Sequence, residues 1–193
     1  MYQMTIEKLQ SIFTKKGYIW NANLNIIGVR NKGVGDIITN KFDDTMYVAY
    51  KEQGKWIVKS YTITTDPGKY YMIKLLNEKG CAILVEGQYV NVYQIGLHQG
   101  KYSALVQRGT VKLYRDKDKD TVYDFENIES SSSSGINIHK AGKDSVLIDS
   151  YSGGCQVFKR EADFNEFMSI CNQFKSILGN KYTYTLINSN DLL

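Results

Sequence analysis

The chain of 193 residues has one proline, two histidines and three cysteines. Each shortage excludes something. Three is an odd count, and Cys81, Cys155 and Cys171 fit no zinc spacing, so neither a disulfide framework nor a structural zinc site is offered. A chain made and kept in a reducing compartment is the simplest reading. With only His98 and His139, a catalytic zinc site would have to borrow carboxylates or a cysteine, and no H-x-x-H or H-x-D pattern is present. Neither a metal nor a cofactor is expected. No apolar stretch approaches the length of a membrane span. The opening MYQMTIEKLQSIFTKKGYIW has no long apolar centre and no small-residue cleavage site, so it does not read as a secretory signal, and synthesis in the cytoplasm is expected. Basic runs with interleaved aromatics are missing too. That sets nucleic acid aside, although a net charge of +4 tolerates anionic polymers such as cell wall.

What is present favours β structure. Tyrosine numbers fifteen against seven Phe and two Trp, and aromatic residues suit pleated, half-buried surfaces. The length suggests a single domain over 1–193, with a helical segment at 1–20 and a β domain at 24–193. In the first segment Thr5 can cap a helix, Glu7 suits its first turn, Ile6, Leu9, Ile12 and Phe13 share one face, and Gly17 suits its end. From Leu24 to Phe158, LNIIGVR, TMYVAY, KWIVKSYTI, YYMIKLL, CAILVE, QYVNVYQIG, VKLY and INIH read as strands. Pro67-Gly68 suits the centre of a type II turn. Ser130 to Ser134 reads as a flexible connection. Near the C-terminus, Asp163 and Glu166 resemble a capping box, and Phe164, Phe167, Met168, Cys171, Phe174 and Leu178 recur at helical spacing before Gly179. KYTYTLI then alternates as a last strand. The expected fold is mainly β, a sandwich or mixed sheet, with one packed C-terminal helix and a short N-terminal one.

One stretch carries chemistry. In IDSYSGGCQVF, Cys155 stands behind Gly153 and Gly154 and in front of a strand-like run, and His139 closes the strand-like GINIH sixteen residues earlier. A thiol needs a base to become a good nucleophile, and an imidazole can serve. If the two segments are neighbours in the sheet, both side chains can face one groove. The glycines leave backbone N–H groups at Gly154 and Cys155 able to face an oxyanion, a donor worth about 2.7–4 kcal/mol in the transition state. Ser152 would bond the turn or a substrate carboxylate. A tight turn with a half-buried cysteine fits the same residue types equally well, so both readings stay open on composition and spacing.

At these residues the sequence resembles the YkuD-like L,D-transpeptidase catalytic domain. That family carries a histidine on a strand, a comparable gap, and then S-H-G-C before another strand; here stand His139, then Ser152-Gly153-Gly154-Cys155-Gln156-Val157. The form GINIH…SGGCQVF is more similar to a divergent branch of bacteriophage and Bacteroides-type proteins, as are LNIIGVRN, TTDPGKYY, GQYVNVYQIGLHQGKYSALVQ and VKLYRDKDKD. Gly153 replaces the family's second histidine, Val157 its arginine, and Gln156 a usually apolar residue. The resemblance implies acyl transfer on peptidoglycan stem peptides through a Cys155 thioester with His139 as base, resolved by water or an amine. A phage-type lysin or L,D-carboxypeptidase is implied more than a cross-linking enzyme, acting on the wall after release or as part of a virion. Cys155, His139 and Gly154 are the implied catalytic residues, with Tyr151, Ser152, Gly153, Gln156 and His98 toward substrate. Gln107 and Tyr102 are candidate groove residues. The alternative is a non-enzymatic wall-binding or virion structural protein that retains the fold. A catalytic Cys155 would alkylate ahead of Cys81 and Cys171 with an acid-shifted profile.

Asp116-Lys117-Asp118-Lys119-Asp120 opens like a calcium loop, but Thr121 stands where Gly belongs and Asn127 where Glu belongs. A solvated hairpin with an Arg115–Asp116 ion pair is the expectation. Cys81 and Cys171 fall on apolar runs and are expected in the core.

Overall fold

A computed structural model describes residues 4–33 and 35–193; residues 1–3 of the expected N-terminal segment lie outside it. Strand residues outnumber helical ones, at 40% against 22%, so the class is mainly β. The strands are β1 (Leu24–Arg30), β2 (Asp44–Glu52), β3 (Lys55–Thr64), β4 (Cys81–Leu84), β5 (Gly87–His98), β6 (Tyr102–Gln107), β7 (Val111–Asp116), β8 (Glu129–Ser131), β9 (Ile138–Lys140), β10 (Gln156–Phe158) and β11 (Tyr182–Asn188). The helices are α1 (Ile6–Lys16), α2 (Lys69–Ile73) and α3 (Glu161–Leu178).

The sheet is neither a sandwich nor an open mixed sheet. Eight strands close into a barrel in the order β1-β11-β5-β6-β9-β10-β3-β2, and β4, β7 and β8 form a separate three-stranded sheet. Closure brings the two ends of the chain together, because β1 pairs with β11 in parallel. A second parallel pair, β9 with β10, matters most for the site.

The burial of β1 shows how the layers are built. All seven of its residues are buried. Side chains alternate along a strand. Leu24 and Ile26 face the barrel core with Met46, Val48, Tyr184 and Leu186, whereas Ile27 and Val29 meet Leu9, Ile12 and Phe13 of α1 on the outside. Thr5 caps α1 by accepting the Lys8 N–H at 3.3 Å, and Gly17 ends it at φ 69°. Gly28 has no side chain for a steric reason: a Cβ there would lie 1.8 Å from Tyr184 Oη.

The helix α3 buries Phe164, Phe167, Met168, Ile170, Cys171 and Phe174 against the same core, with Leu178 partly buried. Phe158 of β10 meets Phe167 at 4.9 Å and Phe164 at 5.7 Å between ring centroids. The capping box is not formed. Arg160 is the N-cap with no side-chain cap bond, Asp163 lies inside the first turn, and Glu166 instead takes hydrogen bonds from Lys59 Nζ and Tyr61 Oη, each at 2.9 Å.

YYMIKLL is not a strand: Tyr70–Ile73 belong to α2. The type II turn at Pro67-Gly68 is absent, because Gly68 has φ −78°, not the positive value the turn needs. Glycine is required there because a Cβ would lie 2.0 Å from the Asp149 carbonyl oxygen. Ser130 and Ser131 belong to β8, paired with Lys112 and Val111. Arg115 pairs with Glu129 at 2.6 Å rather than with Asp116. Cys81 and Cys171 are buried as expected.

Candidate active site

Alternation along β9 and β10 sets the site. Val157 lies opposite His139, and Gln156 opposite Ile138. Ile138 and Phe158 point into the barrel. His139, Val157 and Cys155, which is two residues before Val157, therefore share the outer face. On that face a cavity of about 480 Å³ is lined by Cys155, His139, His98, Tyr102, Tyr151 and Gly153, with Tyr71 and Leu76 on its wall. Its lining includes Lys101 and Lys140 and no carboxylate. A more open hollow of about 610 Å³ along Ile73–Glu78 has neither histidine nor cysteine in its wall.

The turn that presents Cys155 is fastened from several directions. Gly154 adopts φ +118°, and a Cβ would lie 2.4 Å from the Ala82 carbonyl oxygen. A Cβ on Gly153 would lie 2.8 Å from Leu76 Cδ1, so Leu76 fills space that a larger residue at 153 would need. Upstream, Asn40 Oδ1 accepts the N–H groups of Asp149 and Lys69 at 2.9 and 3.0 Å, joining the turn to α2. Gly68 N–H donates to the Ser152 carbonyl at 2.8 Å.

Of the two roles expected for Ser152, the turn is the one it fills: fully buried, its Oγ donates to the Cys155 carbonyl at 2.9 Å and accepts the Gly154 N–H at 3.2 Å. That bond takes the Gly154 N–H away from any oxyanion. Gln156 points into the barrel, where its Oε1 accepts the Tyr184 hydroxyl proton at 2.7 Å, so neither it nor Ser152 reaches the cavity. Gln107 organises the preceding loop by accepting from the Ile136 N–H and Ser134 Oγ and donating to the Gly109 and Ser131 carbonyls.

Sequence reasoning missed Asn137. Its backbone N–H donates to Cys155 Sγ at 3.4 Å, its Oδ1 accepts the Gln107 N–H at 2.9 Å, and its Nδ2 stands 3.0 Å from His98 Nδ1. The signal was available: Asn137 stands two residues before His139 in GINIH, so strand alternation puts it on the histidine's own side.

The two imidazoles stack, with centroids 4.0 Å apart and planes at 18°. His139 Nδ1 sits 2.8 Å from the Lys140 carbonyl oxygen, and Tyr102 Oη is 3.4 Å away. Burial, reinforced by the neighbouring His98 ring, pulls His139 down to about 3. Burial pushes the Cys155 thiol up to about 11, which the Asn137 N–H only partly opposes. Both groups are therefore neutral at pH 7. The thiol donates to the Gly135 carbonyl at 3.3 Å, and no hydrogen bond joins Sγ to either imidazole. Without a resting thiolate–imidazolium pair, any attack by Sγ must lose its proton as the new bond forms.

Around Asp116, Oδ2 accepts the Asp124 N–H at 2.9 Å, and Asp118 Oδ1 accepts the Asp120 N–H at 3.1 Å. Among the described residues no three His, Cys, Asp or Glu side chains converge to hold a metal. No helix among them is long and apolar enough to cross a membrane.

The chain matches no family model, no curated protein and no solved structure. The likeness to L,D-transpeptidases rests on the residues quoted above.

Proposed function

We propose that the protein is a cysteine-dependent acyl-transfer enzyme acting on peptidoglycan stem peptides. Cys155 Sγ attacks a peptide carbonyl, His139 Nε2 takes the thiol proton, and the amine leaves with a proton from the imidazolium. Water or a second amine then resolves the thioester. One observation carries the reading: Cys155 and His139 share one face of a parallel strand pair and line one cavity. The cavity volume suits a short peptide segment. Lys101, in a wall without carboxylates, favours an acyl donor bearing a carboxylate, a contact otherwise missing with Val157 in place of arginine; the Lys140 ammonium is already paired with Glu161. The protein would act on bacterial wall after release or as a virion component.

A second reading is a wall-binding or virion structural domain that keeps the fold. The raised thiol and its bond to Gly135 favour it. Incubation with purified peptidoglycan fragments separates the two. Mass spectrometry should show new fragments with wild type and none with Cys155→Ala, and the fragment masses name the bond and the acceptor. Unchanged fragments that nevertheless co-sediment with the protein would support the second reading.

A further inference from the structure

We propose that Asn137 is a positioning residue that fixes His98 as the Nε2–H tautomer, so that the stacked histidines offer the cavity one hydrogen-bond donor and one acceptor. Gln107 N–H is a donor only, so the Asn137 amide must turn its oxygen toward it. The amide nitrogen then faces His98 Nδ1 at 3.0 Å and can only donate. His98 Nδ1 must therefore carry the lone pair, and the proton of the neutral ring sits on Nε2. The opposite holds for His139. Its Nδ1 faces the Lys140 carbonyl, which only accepts, so Nδ1 carries the proton and Nε2 the lone pair.

Neither Nε2 has a hydrogen-bond partner among the described residues, and neither is sealed from solvent. Both rings line the cavity. Stacking at 4.0 Å disfavours two positive charges, so the pair holds one ring proton to give and one lone pair to fill. Asn137 also reaches Cys155 Sγ through its backbone N–H, so a single residue registers the thiol and the donor imidazole together. The role in catalysis rests on the acyl-transfer reading: His139 Nε2 would take the thiol proton, and His98 Nε2–H would meet the developing oxyanion, a place that Gly153 cannot serve by side chain. The tautomer assignment rests on geometry alone.

The test needs no substrate. The chain has only two histidines, so long-range proton–nitrogen spectra of uniformly 15N-labelled protein contain two imidazoles. At pH 7 wild type should show two neutral rings of opposite tautomer, Nε2–H for His98 and Nδ1–H for His139. Asn137→Ala should move the two His98 nitrogen shifts toward each other while His139 stays put. Asn137→Asp should place a proton on His98 Nδ1 and raise its titration midpoint, since Lys101, Tyr102 and His139, the other titratable groups facing it, are unchanged. A wild-type His98 protonated on Nδ1, or a His98 indifferent to Asn137→Ala, overturns the proposal. The wild-type spectrum decides even if a variant fails to fold. Correct tautomers without turnover would sink the acyl-transfer reading alone; Cys155-dependent turnover with the wrong tautomers would sink the Asn137 proposal alone.

Discussion

Cys155 is governed by desolvation more than by its partners. Its side chain is only half-buried, yet the surrounding protein pushes the thiol up to about 11. Where the motif implies an acid-shifted alkylation profile, the raised thiol predicts the reverse. Modification of Cys155 by iodoacetamide, followed by intact mass, should be slow at pH 7 and climb about tenfold per pH unit toward 11, because only the thiolate reacts. Cys155 should still react before the buried Cys81 and Cys171. His139→Ala should leave that rate nearly unchanged near neutrality, since a ring pulled to about 3 holds no proton there to stabilise a thiolate. A plateau below pH 8, or a marked loss of rate in His139→Ala, would mean that an ion pair exists after all. At this scale the sequence showed the cysteine, the histidine and their spacing. Ser152 bonding the turn was one of its two readings; that Gln156 turns inward it could not show, because this depends on which face of β10 meets the barrel.

Elements with strong local signals were legible. In α1 and α3 the apolar spacing, first-turn acids and terminal glycines all agree, and both helices form. Phe167 is fully buried among Phe158 and Phe164, so Phe167→Ala should cost about 3–5 kcal/mol in urea-induced unfolding. A loss under about 1 kcal/mol would place that side chain outside a packed core. Tyr70–Ile73 show the converse. Aromatic and β-branched residues read as a strand, but Gly68 lies too close to Asp149 for any other residue, and Asn40 grips the Lys69 N–H, so the chain enters a helical turn. That grip lies 29 residues away in sequence and leaves no periodicity to read. Barrel closure was hidden for the same reason. The pairing of β1 with β11 joins residues at opposite ends of the chain, and both segments alternate as well for a sandwich as for a barrel.

For the whole molecule, the buried imidazole couples the site to stability. His139 is about 3 in the folded state and ordinary, at 6.5, when unfolded. The unfolded chain therefore binds a proton that the folded one refuses, and stability present above pH 6.5 is lost as pH falls toward 3. Burial raises Asp116 to about 6, which acts oppositely: its contribution is full below its ordinary carboxylate range and fades as pH rises to about 6. Asp66, raised by burial to about 7, acts in the same direction as Asp116, so the net slope mixes all three and the difference between variants is the clean reading. Between pH 7 and pH 5, wild type should lose about 1–2 kcal/mol relative to His139→Gln in denaturant titrations. Parallel pH curves for the two proteins would show that His139 is not held neutral.

The acyl-enzyme itself tests the central claim most directly. Wild-type protein mixed with a purified stem peptide and quenched in acid within a turnover should carry, by intact-protein mass spectrometry, an added acyl fragment. Peptide mapping should place it on Cys155, and hydroxylamine should remove it as a thioester. Cys155→Ala should show none. His139→Ala should accumulate it far more slowly. No adduct under any quench time, with a folded protein and a bound peptide, would contradict the account and leave a binding domain built on the same barrel.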